Sequence, residues 1–469
     1  MPVTGGGPGP ERQMKPLEGT SISILGLGAS GDAAARLASV KGGEVYVSDS
    51  RTEPSAATGA AELRNLGARV ELGGHDLARV AGADTVVVSP GIPPDAPVLE
   101  ALRADGCPWV SEPEFAFRFL HGPLIAVTGT NGKTTTAAMT AHLLRTTGLD
   151  VGLGGNIGAD FGPPVSDLAL MDPAPDWYVV EVSSFQLADI VEFAPDIGVV
   201  TNLAPDHLDR YESVEQYFAD KARLFETATA SSIWVLNGDS AEVEALAGAA
   251  PGHRFRFTVK DAAGAHACLR DGGLLLDLPG NGEEHLLRAE ELSVLGRHNT
   301  ANALCAALTA RLAGADASSL ADALRSFPPL PHRLELVGSL GGLRWVNDSK
   351  ATNVAATVGA LESLEGPLVI MLGGKDKGED LDPLRKAMHD GVRAAVLFGE
   401  ARGRMASALE GSVPFSVMDG SFEDAVKVAR EMARPGDILL LSPASSSFDM
   451  FESYVARGAR FSALARGEA

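Results

Sequence analysis

The stretch "TGTNGKTTT", residues 128–136, sets Lys133 and Thr134 directly after Gly129, Thr130, Asn131 and Gly132. The apolar "PLIAV" runs into these glycines. A helical pattern follows Lys133, with Thr135 in its first turn. Backbone N–H groups in such a loop aim at phosphate oxygens, and the dipole of the following helix favours negative charge there. Lys133 would reach the β and γ phosphates of a nucleotide, and Thr134 would offer a hydroxyl to Mg²⁺. The full P-loop pattern wants a glycine where Val127 stands, so the match fails at its first position. The bland alternative is a Gly-Thr-rich turn before an ordinary helix.

A second glycine loop lies about a hundred residues earlier. In "ILGLGASGD", Gly26, Leu27, Gly28, Ala29, Ser30 and Gly31 follow a strand and open a helix, and Asp49 and Ser50 end the next strand about twenty residues on. That context suits a nucleotide site, but the fingerprint does not say which nucleotide. Other polar groups stand after apolar runs. Glu181 ends the strand of "VVEVSSFQL", where P-loop enzymes keep a carboxylate for Mg²⁺; a solvent-facing strand end is the alternative. His207 lies between Asp206 and Asp209 in "PDHLDRY" and could bind metal or simply pack. Lys221, in "QYFADKARLF", reads locally as a lysine on a helix surface. Asn299 and Asn302 share a face at a helix start, able to read a base edge or to cap. His332 and Arg333 follow a proline-rich stretch, and "VNDSKATN" gathers Asp348, Ser349, Lys350, Thr352 and Asn353. "LGGKDKGED" and "LSPASSSFDMFESYVARG" have the same character. Polar clusters at strand ends are where open α/β sheets bind ligands; surface loops are the alternative.

The elements that must hold these groups alternate strand and helix, which predicts parallel, doubly wound sheets. Strands are expected at "SISILGLG", "EVYVSDS", "ADTVVVSPG", "PLIAVTG", "WYVVEVSS", "IGVVTNL", "SSIWVLN", "LRWVNDS", "PLVIMLGG", "AAVLFGE" and "DILLLSP". The 469 residues divide into three α/β domains at 1–112, 113–330 and 331–469, with "SFPPLPHR" (326–333) as a linker. The net charge of −22 argues against a nucleic-acid partner. No apolar run approaches the roughly 20 residues of a membrane helix. The opening "MPVTGGGPGPERQMKPLEG" lacks the apolar core of a secretory signal and is expected to be a disordered lead-in. Cys107, Cys268 and Cys305 form no metal-ligand spacing and fit a reduced, cytoplasmic setting.

Taken in order, these motifs resemble the Mur ligases over nearly the whole chain. "TGTNGKTT", "TNLAPDHLDRY" and the Asn-rich helix start are similar to the superfamily at large. "SPGI", "GNIG", "EVSSFQL", "NDSKATN" and "SPASSSFDMF" resemble the branch that adds D-glutamate. The resemblance implies a Rossmann-like UDP-binding domain, a central ATPase domain and a C-terminal Rossmann-like domain. It implies an ATP-dependent ligase that joins D-glutamate to UDP-N-acetylmuramoyl-L-alanine through an acyl phosphate. Carried over, Gly26 to Gly31, Asp49, Ser50, Ser89 and Gly91 would hold the UDP portion, and Asn156 the attached sugar. Gly129 to Thr135 would bind ATP, with Asn299 and Asn302 near adenine and Arg333 and Asp348 further along the nucleotide. Thr134, Glu181, His207 and Lys221 would hold two Mg²⁺ ions. Lys221 matches the family's carbamylated lysine, and Lys133, Lys221 and His207 form the implied catalytic set. Lys350, Thr352, Lys377, Ser447 and Tyr454 would surround D-glutamate, with Lys375 an alternative to Lys377. No general base is identified, and a cytoplasmic monomer is expected. Three rivals remain: an NAD-dependent oxidoreductase built on the first loop, a folate-type polyglutamate ligase, and a non-catalytic nucleotide-binding regulator.

Overall fold

The computed structural model describes residues 16–468 except 53, 209, 365 and 389. Residues 1–15 of the expected lead-in lie outside them, as does Asp209. The lead-in ends sooner than the sequence implied: Leu17 is buried in the core of the first sheet, and its carbonyl accepts the Thr20 N–H (2.9 Å).

The chain forms two compact units. The first comprises the described residues up to Leu203, Glu215–Leu286 and Leu304–Ala323; the second comprises Ala204–Val214, Leu287–Ala303 and Leu324–Ala469. The first unit carries two sheets. One is five-stranded and parallel, in the order Arg69–Leu72, Glu44–Asp49, Ser21–Leu25, Thr85–Val88, Val110–Ser111. Its strand order reverses beside Ser21–Leu25, which puts the turn at Gly26 and the loop at Ser89 on either side of a switch-point crevice. The other sheet has nine strands, and Leu124–Thr128 lies between Ile197–Val200 and Trp177–Glu181, parallel to both. Its remote part, from Ala267 to Arg288, has an antiparallel pair that the sequence reading did not anticipate.

Within this unit the two sheets are tied by buried acid groups. Glu114, in the helix Glu112–Phe117, accepts the N–H groups of Val191 (3.0 Å), Glu192 (2.9 Å) and Phe193 (2.8 Å). Three charge-assisted bonds to a loop that has no ladder partner satisfy its backbone and fix it against the helix.

The second unit holds a six-stranded sheet in the order Glu335–Gly338, Arg344–Asn347, Ile438–Leu441, Leu368–Gly373, Val392–Phe398, Phe415–Val417. Only the first pairing is antiparallel among the registered pairs. "LVIML" explains the layering. Leu368, Ile370 and Leu372 enter one core and Val369 and Met371 the opposite one, so both faces are covered by helices. All eleven sequence-expected strands exist, and no helix among the described residues is long and apolar enough to cross a membrane.

Candidate active site

The loop after Leu124–Thr128 is shaped by two glycines with positive φ, Gly129 (138°) and Gly132 (80°). A Cβ on Gly129 would fall 2.1 Å from Thr201 Oγ1, so only glycine lets the loop pass the neighbouring strand. Asn202 then clamps the loop. Its carbonyl accepts the Thr130 N–H (2.9 Å), its Oδ1 the Asn131 N–H (2.9 Å), and its Nδ2 donates to the Asn131 carbonyl (2.9 Å). The helix Lys133–Thr146 starts here, so the positive end of its dipole lies at the loop. Lys133 Nζ donates to the Thr130 carbonyl (2.8 Å), curling the ammonium over the loop.

Thr134 Oγ1 donates to Glu181 Oε2 at 2.7 Å, and both residues are buried. The solvent-facing alternative for Glu181 is therefore excluded. Lys221 is 1% exposed, which corrects the surface-lysine reading. It projects from the helix Val214–Ala222, donates to the Gly129 carbonyl (2.8 Å) and lies 4.6 Å from the Tyr217 ring centroid. Tyr217, missed by the sequence reading, also meets Thr130 Oγ1 through its hydroxyl (3.2 Å). Its signal was the i, i+4 spacing with Lys221, which puts both on one helix face.

The first glycine loop borders a separate cavity of about 700 Å³, lined by Gly26, Gly28, Ala29, Ser30, Asp49, Ser50, Ser89 and Gly91 together with Arg51, His75 and the 90–98 segment. Gly31 is inside the helix Ala29–Val40, where a Cβ would come 1.9 Å from the Gly26 carbonyl oxygen. Leu27 contributes through its backbone: its N–H donates to Asp49 Oδ2 (2.6 Å) and its carbonyl accepts Arg51 Nη2 (2.8 Å). Burial pushes the Asp49 carboxyl up, but bonds from Arg51 and the Leu27 N–H outweigh it and bring it to about 2. Asp49 is thus a fixed anion that holds the turn and aims Arg51. His75 Nδ1 lies 2.8 Å from Ser48 Oγ. Arg51 and His75 were missed. Arg51 could have been noticed as a cation directly after a strand end, whereas His75 carries no local signal. Asn156 is exposed at the end of Val151–Gly155, outside this lining, and its N–H donates to the Glu181 carbonyl (2.8 Å).

In the second unit, three loops meet at the carboxyl ends of Arg344–Asn347, Leu368–Gly373 and Ile438–Leu441. Lys350 and Thr352 stand on the first loop, Lys377 on the second and Ser447 on the third. Tyr454 opens the helix Tyr454–Ala465. Lys350 Nζ lies 4.0 Å from the Tyr454 ring centroid. Lys377 Nζ is 3.8 Å from Asp206 Oδ1, whose other oxygen accepts Asn353 Nδ2 (2.9 Å). Lys375 is exposed and joins Ser446 through its backbone (2.8 Å), so the geometry favours Lys377 over Lys375 as the inward cation. His207 has positive φ (56°) and donates its N–H to Asp206 Oδ1 (2.8 Å).

Asp348 is buried. It accepts Ser442 Oγ (2.7 Å) and the Leu334 N–H (3.2 Å), and burial raises its carboxyl to about 7 although Arg333 pulls it down. Asn302 Nδ2 donates to Asn299 Oδ1 (3.1 Å) and Asn299 Nδ2 to the Leu295 carbonyl (2.7 Å), as their shared face requires.

The largest omission from the sequence reading is Arg457. It is fully buried, and its guanidinium donates to Ser349 Oγ and carbonyl (both 3.0 Å), Ser445 O (3.1 Å), Gly373 O (3.4 Å) and Ser446 O (3.4 Å). One planar fork thereby joins all three loops. Burial lowers it to about 10. Its signal was the i, i+3, i+7 spacing of Tyr454, Arg457 and Phe461, which sets it on the inner face of its helix.

Comparisons with known proteins agree with this architecture. Residues 20–111 match the family model described as Mur ligase MurD-like, N-terminal domain; residues 127–310 match the Mur ligase middle domain; residues 332–445 match the Mur ligase, glutamate ligase domain. The UDP-N-acetylmuramoylalanine–D-glutamate ligase of Acidobacterium capsulatum is 40% identical over 451 residues, covering 96% of each chain. That of Desulfatibacillum aliphaticivorans is 38% identical over 446 residues, covering 95% of this chain and 98% of that one. Among solved structures, the UDP-N-acetylmuramate-alanine ligase MurC of Thermotoga maritima aligns with a TM-score of 0.59 at 19% identity, covering 96% of this chain and all of that one, a likeness of fold.

Proposed function

The chain belongs to the Mur ligase family, and from that premise we propose that it is the ATP-dependent ligase that adds D-glutamate to UDP-N-acetylmuramoyl-L-alanine in peptidoglycan precursor synthesis. The observation that carries this reading is the pair of phosphate-type sites in one unit: the 700 Å³ cavity at the first glycine turn and the glycine loop with Lys133, Thr134, Glu181 and Lys221. A ligase joining a nucleotide-linked carboxylate to an amine needs both, whereas an oxidoreductase needs one. A folate-type ligase has no use for a separate UDP domain, and the match of residues 20–111 to a MurD-like N-terminal domain supports reading them as one. We assign domains to 1–112, 113–330 and 331–469, and take the enzyme to act as a cytoplasmic monomer.

A carboxylate is a poor electrophile. In the proposed reaction an oxygen of the alanyl carboxylate attacks the γ-phosphorus of ATP and ADP leaves. The D-glutamate amine then attacks the acyl carbon, loses a proton, and phosphate departs with the carboxylate oxygen. The loop N–H groups and Lys133 would hold the transferring phosphoryl group and neutralise its developing charge. Asp49 and Arg51 would fix the uridine end, Asn156 the sugar side, and Asn299, Asn302, Arg333 and Asp348 the nucleoside of ATP. Lys350, Thr352, Lys377, Ser447 and Tyr454 would receive D-glutamate.

The family implies Mg²⁺, and the adjoining hard oxygens of Thr134 and Glu181 suit it, since Mg²⁺ takes few protein ligands and completes its shell with water and phosphate. When bound it supplies charge neutralisation at the phosphates. We carry over the family's metal-ligand roles to His207 and, as a carbamate, to Lys221; the burial of Lys221 against the phosphate loop supports its part. The test is ADP release. It should require both UDP-N-acetylmuramoyl-L-alanine and D-glutamate. Release that ignores either substrate would defeat the proposal.

A further inference from the structure

Glu379 stands apart from the other acid groups of the second unit. It is only 8% exposed. Its Oε2 accepts the N–H of Val354 (3.0 Å), the first residue of the helix Val354–Ser363, while its Oε1 has no hydrogen-bond partner among the described residues. A buried carboxyl with a free oxygen is costly if it is only structural. A glutamine would serve the Val354 N–H equally well and could donate besides. What a glutamate adds at this place is a charge that can appear or vanish.

The charged groups around it are few. Asp376 and Lys377 lie on its own loop, Arg404 on the helix Arg402–Leu409, and Asp206 on the 204–214 segment. Arg404 is committed elsewhere: it pairs with Asp376 Oδ1 (2.5 Å) and donates to the backbone carbonyl of Glu379, not to its carboxyl. Asp206 is held ionised against its burial by His207, Lys377 and the amide of Asn353. The Lys377 side chain lines the same pocket as Glu379, and its ammonium is shared out loosely, 3.8 Å from Asp206 Oδ1.

We propose that Glu379 is a positioning residue for amino-acid capture: when neutral it leaves the Lys377 ammonium to a carboxylate of D-glutamate, and when ionised it competes for that ammonium and repels the substrate. The proposal rests on the reading that Lys377 binds D-glutamate. Burial raises the Glu379 carboxyl to about 7, with help from the negative charge of Asp206 and against the pull of the Val354 N–H, Lys377 and Arg404. The competition therefore sets in near neutral pH.

The experiment is the KM for D-glutamate across pH, with ATP and the UDP-linked substrate saturating. In the unmodified chain the KM should rise at least about threefold between about pH 6 and about pH 8.5. In Glu379→Gln it should stay near the low-pH value throughout, and an unchanged KM for ATP reports an intact fold. A flat profile in the unmodified chain, or the same rise in Glu379→Gln, would overturn the inference. Lys377→Met separates this from the underlying site reading. It should raise the KM for D-glutamate at least about tenfold at every pH. A normal KM there would instead remove Lys377 from the amino-acid site, and the inference would fall with it.

Discussion

Lys133 and Lys221 reach the same short loop from different directions, one through the Thr130 carbonyl and the other through the Gly129 carbonyl. The proposed role of Lys133 is to meet charge that develops on a phosphoryl group. Lys133→Ala should cut turnover by a factor of about 10² to 10³ or more, with the affinity for the UDP-linked substrate retained, because that ligand's cavity has its own residues. Near-normal turnover would take Lys133 out of the catalytic set. Lys221→Ala should be inactive, and added formate should restore part of the activity by supplying a carboxylate where the carbamate stood; a fully active variant would exclude the carbamate role. Lys133 and Thr134 were legible because a strand, a glycine loop and a helix announce them in sequence; Glu181, a strand-end carboxylate by pattern, needed the structure to set it against Thr134. Lys221 and His75 were not legible as site residues from local pattern, because what marks them is contact with segments far away in the chain, the Gly129 carbonyl and the Ser48 hydroxyl; Arg51, an exposed cation just after a strand end, was legible and overlooked.

At the scale of elements, the parts that position the sites are joined by buried polar groups. Arg457 is the clearest case, since its one side chain spans Ser349, Gly373, Ser445 and Ser446. Arg457→Met should cost about 2–4 kcal/mol in urea denaturation by orphaning carbonyls, and should raise the KM for D-glutamate. Arg457→Lys should recover only part of this, because an ammonium cannot reproduce the planar fork. Unchanged stability in Arg457→Met would show that the loops hold themselves.

Glu112 tests the junction between the two sheets of the first unit. It accepts the Ser166 N–H (2.5 Å), its other oxygen finds no partner among the described residues, and burial raises it to about 7 from an ordinary 4.5. An acid whose folded pKa is raised gives its full stability below about 4.5 and loses it as pH climbs to about 7. Glu112→Gln should therefore melt like the unmodified chain near pH 5 and be more stable by about 1–3 kcal/mol near pH 8. No difference at pH 8 would mean that the carboxyl stays ionised at little cost. The elements themselves were largely legible, since apolar runs such as "LVIML" and "VVVS" are marked by length and β-branched residues. "VGLGG" escaped because glycines, needed where the Pro163 and Glu181 carbonyls crowd it, erase the strand signal.

For the whole molecule, a net charge of −22 means that anionic substrates are drawn by local devices rather than by the overall field. Each glycine turn presents a helix N-terminus, and what surrounds it decides its ligand. At the first turn, the proposal gives the fixed anion Asp49 and the Arg51 it aims to the uridine end of a UDP-linked substrate. Calorimetry on the full chain should find UDP-N-acetylmuramoyl-L-alanine binding and no comparable affinity for NAD; equal affinity would return that loop to a dinucleotide. The second turn must then transfer phosphate onto the carboxylate that the first site holds. The most direct measurement of that claim uses ¹⁸O in the alanyl carboxylate of the UDP-linked substrate, with released phosphate analysed by mass. An acyl-phosphate route predicts one labelled oxygen in each phosphate formed with product. Phosphate without the label, at normal turnover, would mean that ATP is split by water and that the amide is made some other way.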